Sequence, residues 1–545
     1  MRRAWGRAGG SSFELPFRSP RVRRELARRE MRCGKRAARA GGELRGDWMA
    51  RLCERMAKMS HIRFGTDGWR AVMCDEFTFS NVRLVVRAIA DYLNETGLGG
   101  KGVVVAYDAR FLSERFAQEA ASVLAANGVN VWVTSRDTPT PVAAHAVVHG
   151  KRAGAVMFTA SHNPPEYNGL KWIPEYGGPA MPDVTSEIER RIAQVEGAWR
   201  GESPGQAGGG QGATGGAKPT GCIKQFDPMG DYIDHVSRLV DVDAIRRARL
   251  RIVYDPLHAS GRGYLERILE PCDVLVVNDG RDPLFGGSPP DPSEQRLQGL
   301  ASKVRETGAH LGLATDGDAD RFGVIDADGT FLSPNQVISL LAAHLARNRG
   351  MRGVAVRTCA TSHMVDAVAR ACGLEARETP VGFKYVSAEM RRAKVVIGGE
   401  ESGGLSIGGH VPEKDGILAC LLVAEMRAVT GRPLKETLRA LMEEVGQFYS
   451  RRVDLHVEGG ARERIMDTLR SSPLREVAGV PVSRVSTMDG VKTECADGSW
   501  FLVRASGTEP VVRIYAEAPT ESRLSAILEE VREIVRVGNE TTTGV

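Results

Sequence analysis

Asp316-Gly317-Asp318-Ala319-Asp320 sets three carboxylates at alternate positions of a tight, glycine-containing segment. Hard cations such as Mg2+ take oxygen ligands in near-octahedral geometry, and alternating aspartates can supply three of them. An isolated run of this kind is more often an acidic surface turn. Here it follows directly on the apolar run Leu311–Ala314, which favours a metal site. An EF-hand is excluded, because its sixth position is Arg321 instead of Gly and its twelfth Ala327 instead of Glu. Ser161 sits in Thr159-Ala160-Ser161-His162-Asn163-Pro164-Pro165, where His162 and Asn163 could position a hydroxyl that is a poor nucleophile unaided. The competing reading is a capped turn before two prolines, and the Gly-x-Ser-x-Gly elbow of hydrolases is absent. Lys171 adds a cation nearby.

Two more segments offer ligands. In Arg504-Ala505-Ser506-Gly507-Thr508-Glu509-Pro510, with Arg513 following, two guanidinium groups, two hydroxyls and a glycine backbone have the ingredients of a phosphate cradle. Glu400 and Ser402, in Gly399-Glu400-Glu401-Ser402-Gly403, offer an acceptor and a donor for vicinal sugar hydroxyls, though read alone this is an ordinary turn. Lys384, in Thr379-Pro380-Val381-Gly382-Phe383-Lys384, is by itself no more than a surface lysine.

The surrounding elements alternate between strand and helix. Ser80 is expected to cap a helix carrying Val82, Val85, Val86, Ile89 and Leu93 at helical spacing. Strands are expected at Val103–Val105, Val129–Val133, Ala155–Phe158, Ile252–Tyr254, Val274–Val277, Leu311–Ala314, Val354–Val356 and Val395–Ile397. Helices fall at Glu114–Ala126, Val337–Ala346 and Ile417–Val429. Such alternation implies parallel sheets of the α/β class. Three strands end in the serine, aspartate and Glu-Ser segments, and open α/β sheets bind ligands beyond the carboxyl ends of their strands. The expected architecture is therefore three similar mixed-sheet α/β domains and a C-terminal α+β domain around a central cleft. The last domain would hold strand Arg452–Val457, a helix near Arg462–Leu469, a two-strand region at Trp500–Ala516 and helix Ser522–Val535.

Length and composition agree with several domains. The chain has 545 residues, beyond the roughly 250–300 at which single cores split. Apolar stretches such as Ile417–Ala424 fall short of the roughly 20 residues that span a bilayer, so no membrane partner is expected. Nine cysteines lie singly with no Cys-x-x-Cys pair, which suits a reducing cytoplasm. Net charge is +5, but residues 1–59 hold seventeen Arg and Lys against six Asp and Glu, a local +11 that leaves the body at −6. A nucleic-acid-binding body is disfavoured. Residues 1–59 read as a disordered extension, with the folded protein starting near Met59, and 201–221, with nine Gly, reads as a flexible insert. The expected domains are 60–200, 222–334, 335–448 and 449–545.

The order of the motifs decides what none of them decides alone. Phe64-Gly65-Thr66-Asp67-Gly68-Trp69-Arg70, then Thr159–Pro164, Asp316–Arg321, Gly399–Gly403 and Arg504–Pro510 resembles the α-D-phosphohexomutase family of phosphoglucomutases and phosphomannomutases, from Ile62 to the C-terminal helix. The resemblance implies a phosphoserine at Ser161, with Mg2+ held by Asp316, Asp318, Asp320 and an oxygen of that phosphate. It implies sugar contacts from Glu400 and Ser402, and a grip on the non-reacting phosphate from Arg504, Ser506, Gly507, Thr508 and Arg513. Arg70, His162, Lys171 and Lys384 match the family's basic cleft residues, without any one being marked as the base. Phospho-Ser161 would pass its group to a hexose phosphate, and the bisphosphate, glucose 1,6-bisphosphate for a glucose enzyme, would serve as intermediate and activator. Ala505 replaces a Pro common among relatives. Gly404 stands where phosphomannomutase/phosphoglucomutases and phosphoglucosamine mutases typically have His, and Glu400-Glu401-Ser402 resembles the glucose-directed form. The expected reaction is interconversion of glucose 1- and 6-phosphates. The alternatives are a phosphomannomutase, a phosphoglucosamine mutase, or a silent sugar-phosphate-binding paralogue. Oligomeric state is left open.

Overall fold

The computed structural model describes residues 62–65, 67–201, 220–457, 460–505 and 511–540. The arginine-rich N-terminal extension, most of the glycine-rich insert, and Ser506, Gly507 and Thr508 lie outside the described residues. Four sheets carry the fold. The first has the order β1-β5-β4-β2-β3-β6, formed by β1 (Trp69–Val72), β2 (Val103–Tyr107), β3 (Val131–Thr134), β4 (Gly154–Phe158), β5 (Tyr167–Pro174) and β6 (Ile223–Phe226). The second, β11-β10-β9-β7-β8, uses β7 (Arg251–Asp255), β8 (Asp273–Val276), β9 (Leu311–Thr315), β10 (Phe322–Asp326) and β11 (Phe331–Leu332). The third, β13-β12-β14-β15, uses β12 (Val354–Thr358), β13 (Glu375–Thr379), β14 (Val395–Glu400) and β15 (Gly404–Ile407). The fourth is antiparallel, β16-β21-β20-β19-β18-β17, from β16 (Tyr449–His456), β17 (Glu476–Val477), β18 (Val480–Ser486), β19 (Val491–Cys495), β20 (Trp500–Ala505) and β21 (Val511–Ala518).

Each of the first three sheets has a parallel centre and an antiparallel return. The pairs β2·β3, β2·β4, β7·β8, β7·β9, β12·β13 and β12·β14 are parallel, as the strand–helix alternation implies. The pairs β4·β5, β9·β10 and β14·β15 are antiparallel, so each of the three sheets is mixed, as expected, with the antiparallel pair at the same place in all three. The central strands β4, β9 and β14 are fully buried, which is why they read as apolar runs. β6 lies beyond the glycine-rich insert yet pairs with β3, so the first sheet crosses the insert and does not end before it.

The helices follow their apolar stripes. Gly416–Thr430 is apolar nearly all round and buried from Gly416 to Arg427, as a helix enclosed between layers must be. Its N-cap is Asp415, which accepts from Leu418 N at 2.9 Å. The helix carrying Val82 to Leu93 spans Phe79–Glu95 and is capped by Thr78, which accepts from Asn81 N; Ser80 lies inside it. The two hydroxyls are only two residues apart, and the start is set by Phe79, which packs on Phe116 with centroids 4.4 Å apart. Among the described residues, no helix is long and apolar enough to cross a membrane.

A row of imidazoles joins elements of the first three sheets. His145 and His149 on helix Thr140–His149, His235 on helix Met229–Leu239 and His410 after β15 stack in succession, with centroids 4.7–5.4 Å apart. His410 Nε2 meets Asp415 Oδ2 at 2.9 Å, and His149 Nδ1 faces Asp231 Oδ2 at 3.4 Å. Burial, then the neighbouring imidazoles, push His145 down to about 3. Burial, then His410 and Arg238, push His235 down to about 4. Below the ordinary histidine value of about 6.5 the unfolded chain takes up protons that the folded rings refuse, so stability falls as pH drops from 6.5 towards 4. His235→Asn should flatten that fall in a melting-midpoint series; a slope unchanged from the parent would contradict the assignment.

Candidate active site

Three of the motif segments are the turns of antiparallel hairpins, and the fourth falls in sequence between the antiparallel partners β20 and β21. Residues 159–166 join β4 to β5, 316–321 join β9 to β10, 401–403 join β14 to β15, and 506–510 link β20 to β21. Each parallel centre delivers its loop at a carboxyl edge, and the return strand brings further side chains back to the same place. Lys171, on β5 opposite Met157, is the clearest case: a buried lysine between the apolar Leu170 and Trp172.

Ser161 is 1% exposed and sits in the left-handed region at φ 50°. Its Oγ donates to Asp316 Oδ2 at 2.7 Å and lies 3.3 Å from His162 Nδ1. Asp316 Oδ1 accepts from the backbone N–H of Asp320 and Arg321, closing the aspartate turn on itself. Asp318 Oδ2 accepts from Thr140 Oγ1 at 2.5 Å and from Lys171 Nζ at 2.8 Å. Lys171 also meets Asp320 Oδ2 and Asp67 Oδ2, each at 2.8 Å. Asp318 Oδ1 and Asp320 Oδ1 are buried and have no hydrogen-bond partner. Buried unpartnered carboxylate oxygens are costly, and the three aspartates offer ligand atoms within 4.8 Å of one another. Two orphaned hard oxygens beside a third carboxylate and the Ser161 hydroxyl fit a divalent hard cation.

The electrostatics agree. Burial, then Asp318 and Asp320, hold Asp316 well above the ordinary carboxylate value, the mark of a negative cluster short of positive charge. Burial works against the charge of Lys171, but Asp318, Asp320 and Asp67 outweigh it and keep the ammonium protonated. The same balance protonates Lys414, whose Nζ lies 3.2 Å from Asp67 and 3.3 Å from Asp320. His162 is held well below its usual value by burial and by Arg321, Arg70, Arg110 and Lys171, so its ring is neutral.

A cleft of about 360 Å³ opens above this cluster. Arg70, Ser161, His162, Lys384, Glu400, Ser402, Arg504 and Arg513 all line it. Asp320 reaches the lining, Asp316, Asp318 and Lys171 lie behind it, and Ser506, Gly507 and Thr508 lie outside the described residues. Arg70 donates to Asn163 Oδ1 at 2.9 Å, tying β1 to the serine loop. Arg504 and Arg513 stand directly opposite each other on β20 and β21. Like charges so placed repel, and Asp489, 3.0 Å from Arg504, and Asp454, 3.7 Å from Arg513, offset the repulsion. Glu400 ends β14, and burial raises its carboxyl while Lys414 opposes. Lys384 is lowered by burial, with Asp67 opposing and Arg504 adding.

Several participants escape the sequence reading. Asp67 and Lys414 complete the charge cluster, Thr140 anchors Asp318, and Arg321 and Arg452 line the cleft. Lys414 stands in Glu413-Lys414-Asp415, which reads as a surface charge run; its place immediately before an apolar helix was the available signal. A Cβ on residue 404 would lie 2.4 Å from Lys414 Cδ, so the lysine stem occupies the space that a side chain at 404 would need.

Comparison with known proteins agrees with this geometry. Phosphoglucomutase/phosphomannomutase alpha/beta/alpha domains I, II and III match residues 61–198, 230–329 and 333–445, and the C-terminal domain matches 463–534. A phosphoglucomutase/phosphomannomutase of Thermococcus kodakarensis is 32% identical, over 86% of this chain and 96% of its own. A phosphoglucomutase of Komagataeibacter xylinus is 30% identical over 87% and 90%, and a probable phosphoglucosamine mutase of Pyrococcus abyssi 31% over 87% and 97%. A solved structure from Thermus thermophilus, whose name places it among the phosphomannomutases, superposes with a TM-score of 0.75 at 32% identity, covering 88% of this chain and all of that one. With the four domains matched in order and the three carboxylates, the serine and the cationic cleft in one place, the chain belongs to the phosphoglucomutase/phosphomannomutase family, the hexose-phosphate mutases of the phosphohexomutase superfamily.

Proposed function

We propose that the protein interconverts glucose 1-phosphate and glucose 6-phosphate through a phosphoserine at Ser161. The observation that carries this reading is Ser161 Oγ, 2.7 Å from Asp316 and beside two orphaned carboxylate oxygens, facing a cleft lined by Arg504 and Arg513. Asp316, Asp318 and Asp320 would hold Mg2+ with an oxygen of the serine phosphate. When bound, the cation neutralises charge on the phosphoryl group in transfer.

The chain's own groups supply the rest. A sugar hydroxyl attacks the phosphorus of phospho-Ser161, the P–O bond to Ser161 breaks, and its electron pair stays on the serine oxygen. The proton of the sugar hydroxyl passes by way of a base in the cleft to the serine oxygen, which ends as a hydroxyl, and neutral His162, with Nδ1 3.3 Å from Ser161 Oγ, is within reach of that oxygen. Lys171 and Lys414, held charged, stabilise the negative charge carried through the step. Arg504 and Arg513, with Ser506, Gly507 and Thr508, would grip the other phosphate, while Glu400 and Ser402 orient the ring. Glucose 1,6-bisphosphate then turns over and returns its second phosphate to Ser161. Glu400-Glu401-Ser402 with Gly404 supports glucose as the sugar. Relatives named phosphoglucosamine mutase make glucosamine phosphate the second candidate. The unpaired cysteines among the described residues support a reducing, cytoplasmic setting.

A coupled assay on glucose, mannose and glucosamine phosphates, primed with glucose 1,6-bisphosphate, tests the reading. The expected result is a kcat/KM for glucose at least about tenfold above the others; a higher value for mannose or glucosamine phosphate would overturn it. Arg504→Ala should raise KM about 10- to 100-fold and move kcat less, because it removes a charge-assisted contact of about 1.5–3 kcal/mol. An unchanged KM would place the phosphate grip elsewhere.

A further inference from the structure

The backbone of the serine loop poses a question of hydrogen-bond accounting. Between β4 and β5 the chain runs through residues 159–166 without regular structure; Met73, Asn163 and Tyr167 N–H groups meet the carbonyls of Glu166, Ala160 and Pro164, while those of Ser161 and Asn163 depend on side chains. Four carbonyls of this segment and the start of β5 are met by one side chain. Arg110 donates from Nη2 to Ser161 O at 2.7 Å and Asn163 O at 2.6 Å, and from Nη1 to Pro164 O at 2.7 Å and Tyr167 O at 3.0 Å.

The guanidinium is itself fixed. Its side chain is wholly buried, its Nε lies 3.2 Å from Asp108 Oδ2, and its Cζ lies over the Phe285 ring, 5.0 Å from the ring centre. Asp108 is held in turn by Ser113 Oγ and by the backbone N–H of Arg110. On the other side of the loop, a Cβ on Gly317 would lie 2.3 Å from Ser161 O. The Ser161 carbonyl is therefore clamped between Arg110 and the aspartate turn, and Ser161 keeps a left-handed φ of 50° that an unsupported serine would leave. Thr159 Oγ1 accepts from Ser161 N and closes the loop at its start.

We propose that Arg110, braced by Asp108, is the positioning residue that aims the Ser161 hydroxyl at the metal loop and the cleft; this rests on the phosphoserine reading of Ser161. Arg110 does not line the cleft and does not touch Ser161 Oγ, so it acts through the backbone. A lysine cannot replace it, because an ammonium has three donors on one nitrogen and no fork to span four carbonyls. Loss of aim by about 1 Å costs a transfer reaction about 100-fold in rate while leaving distant substrate contacts intact.

The test compares the parent with Arg110→Lys and with the charge-neutral pair Asp108→Asn/Arg110→Met, which leaves no unpaired buried ion. Each is treated with glucose 1,6-bisphosphate, and phosphorylation of Ser161 is followed by intact mass beside steady-state turnover and a melting curve. The expected result is a folded protein whose phosphorylation rate and kcat both fall about 100-fold while KM for glucose 1-phosphate stays within about threefold. Phosphorylation and turnover at parental rates in either folded variant would overturn the proposal. So would KM and kcat moving together, or both variants failing to fold, since Arg110 would then serve binding or folding instead. A parent that turns over yet never gains a phosphoryl group on Ser161 would sink the phosphoserine reading itself, an outcome distinct from the others.

Discussion

Ser161→Ala should lower kcat by about 10⁴-fold or more while the protein stays folded and still binds hexose phosphates. The size follows from the proposed role: the hydroxyl oxygen would be the atom that carries the phosphoryl group between the two halves of the cycle, with no neighbour able to take its place. His162 is neutral but its nitrogen is 3.3 Å from Oγ and fixed beside it, and Asp316 is engaged by two backbone N–H groups. The structural cost is small. Alanine fits the same buried space, and the hydrogen bond lost to Asp316 contributes about 1 kcal/mol. The Arg110 and Thr159 contacts to the Ser161 backbone do not depend on the side chain. The measurement is kcat with bisphosphate present, together with a melting curve and the affinity for glucose 1,6-bisphosphate. Turnover within tenfold of the parent would remove Ser161 from the mechanism.

What the sequence displays and what it hides follow a physical pattern. The central strands β4, β9 and β14 are legible because burial on both faces leaves apolar residues and glycine up to their last positions, and the polar loops stand out against them. The return strands are not. β5 contains Asn168, Gly169 and Lys171, all buried, because the site draws polar groups into the sheet; by alternation it reads as loop. β15 begins at Gly404 for the same reason, since the stem of Lys414 takes the side-chain space. Lys414 and Asp67 belong to segments distant in sequence, and only the fold places them 3.2 Å apart. Arg110 is harder still. An arginine after Asp108-Ala109 looks solvated, and its function is to satisfy carbonyls more than fifty residues away. Residue types at loops reveal which groups do chemistry, while the groups that hold them in position are visible only through contacts.

The second large effect is expected from Asp316→Asn, which should lower kcat about 10³-fold and abolish most of the gain in melting temperature that Mg2+ gives the parent. Asp316 is the aspartate on which the cluster's repulsion falls hardest: burial, then Asp318 and Asp320, raise it well above the ordinary value, and neither Lys171 nor Lys414 touches it. Asparagine keeps the turn. Its Oδ1 can accept from Asp320 N and Arg321 N as the carboxylate does, leaving Nδ2 to donate to Ser161 Oγ and reverse that hydrogen bond. Without Mg2+ the variant should therefore melt no lower than the parent, because a buried negative charge has been removed and the Ser161 hydroxyl, which loses Asp316 as acceptor, can turn its proton to His162 Nδ1 at 3.3 Å. With Mg2+ the order should reverse, since one of the three proposed anionic ligands is gone. The paired melting curves separate this account from simple damage to the fold, which would lower the midpoint under both conditions. A variant that keeps both the parental Mg2+ shift and the parental kcat would show that the three aspartates are a structural turn and that the cation acts elsewhere.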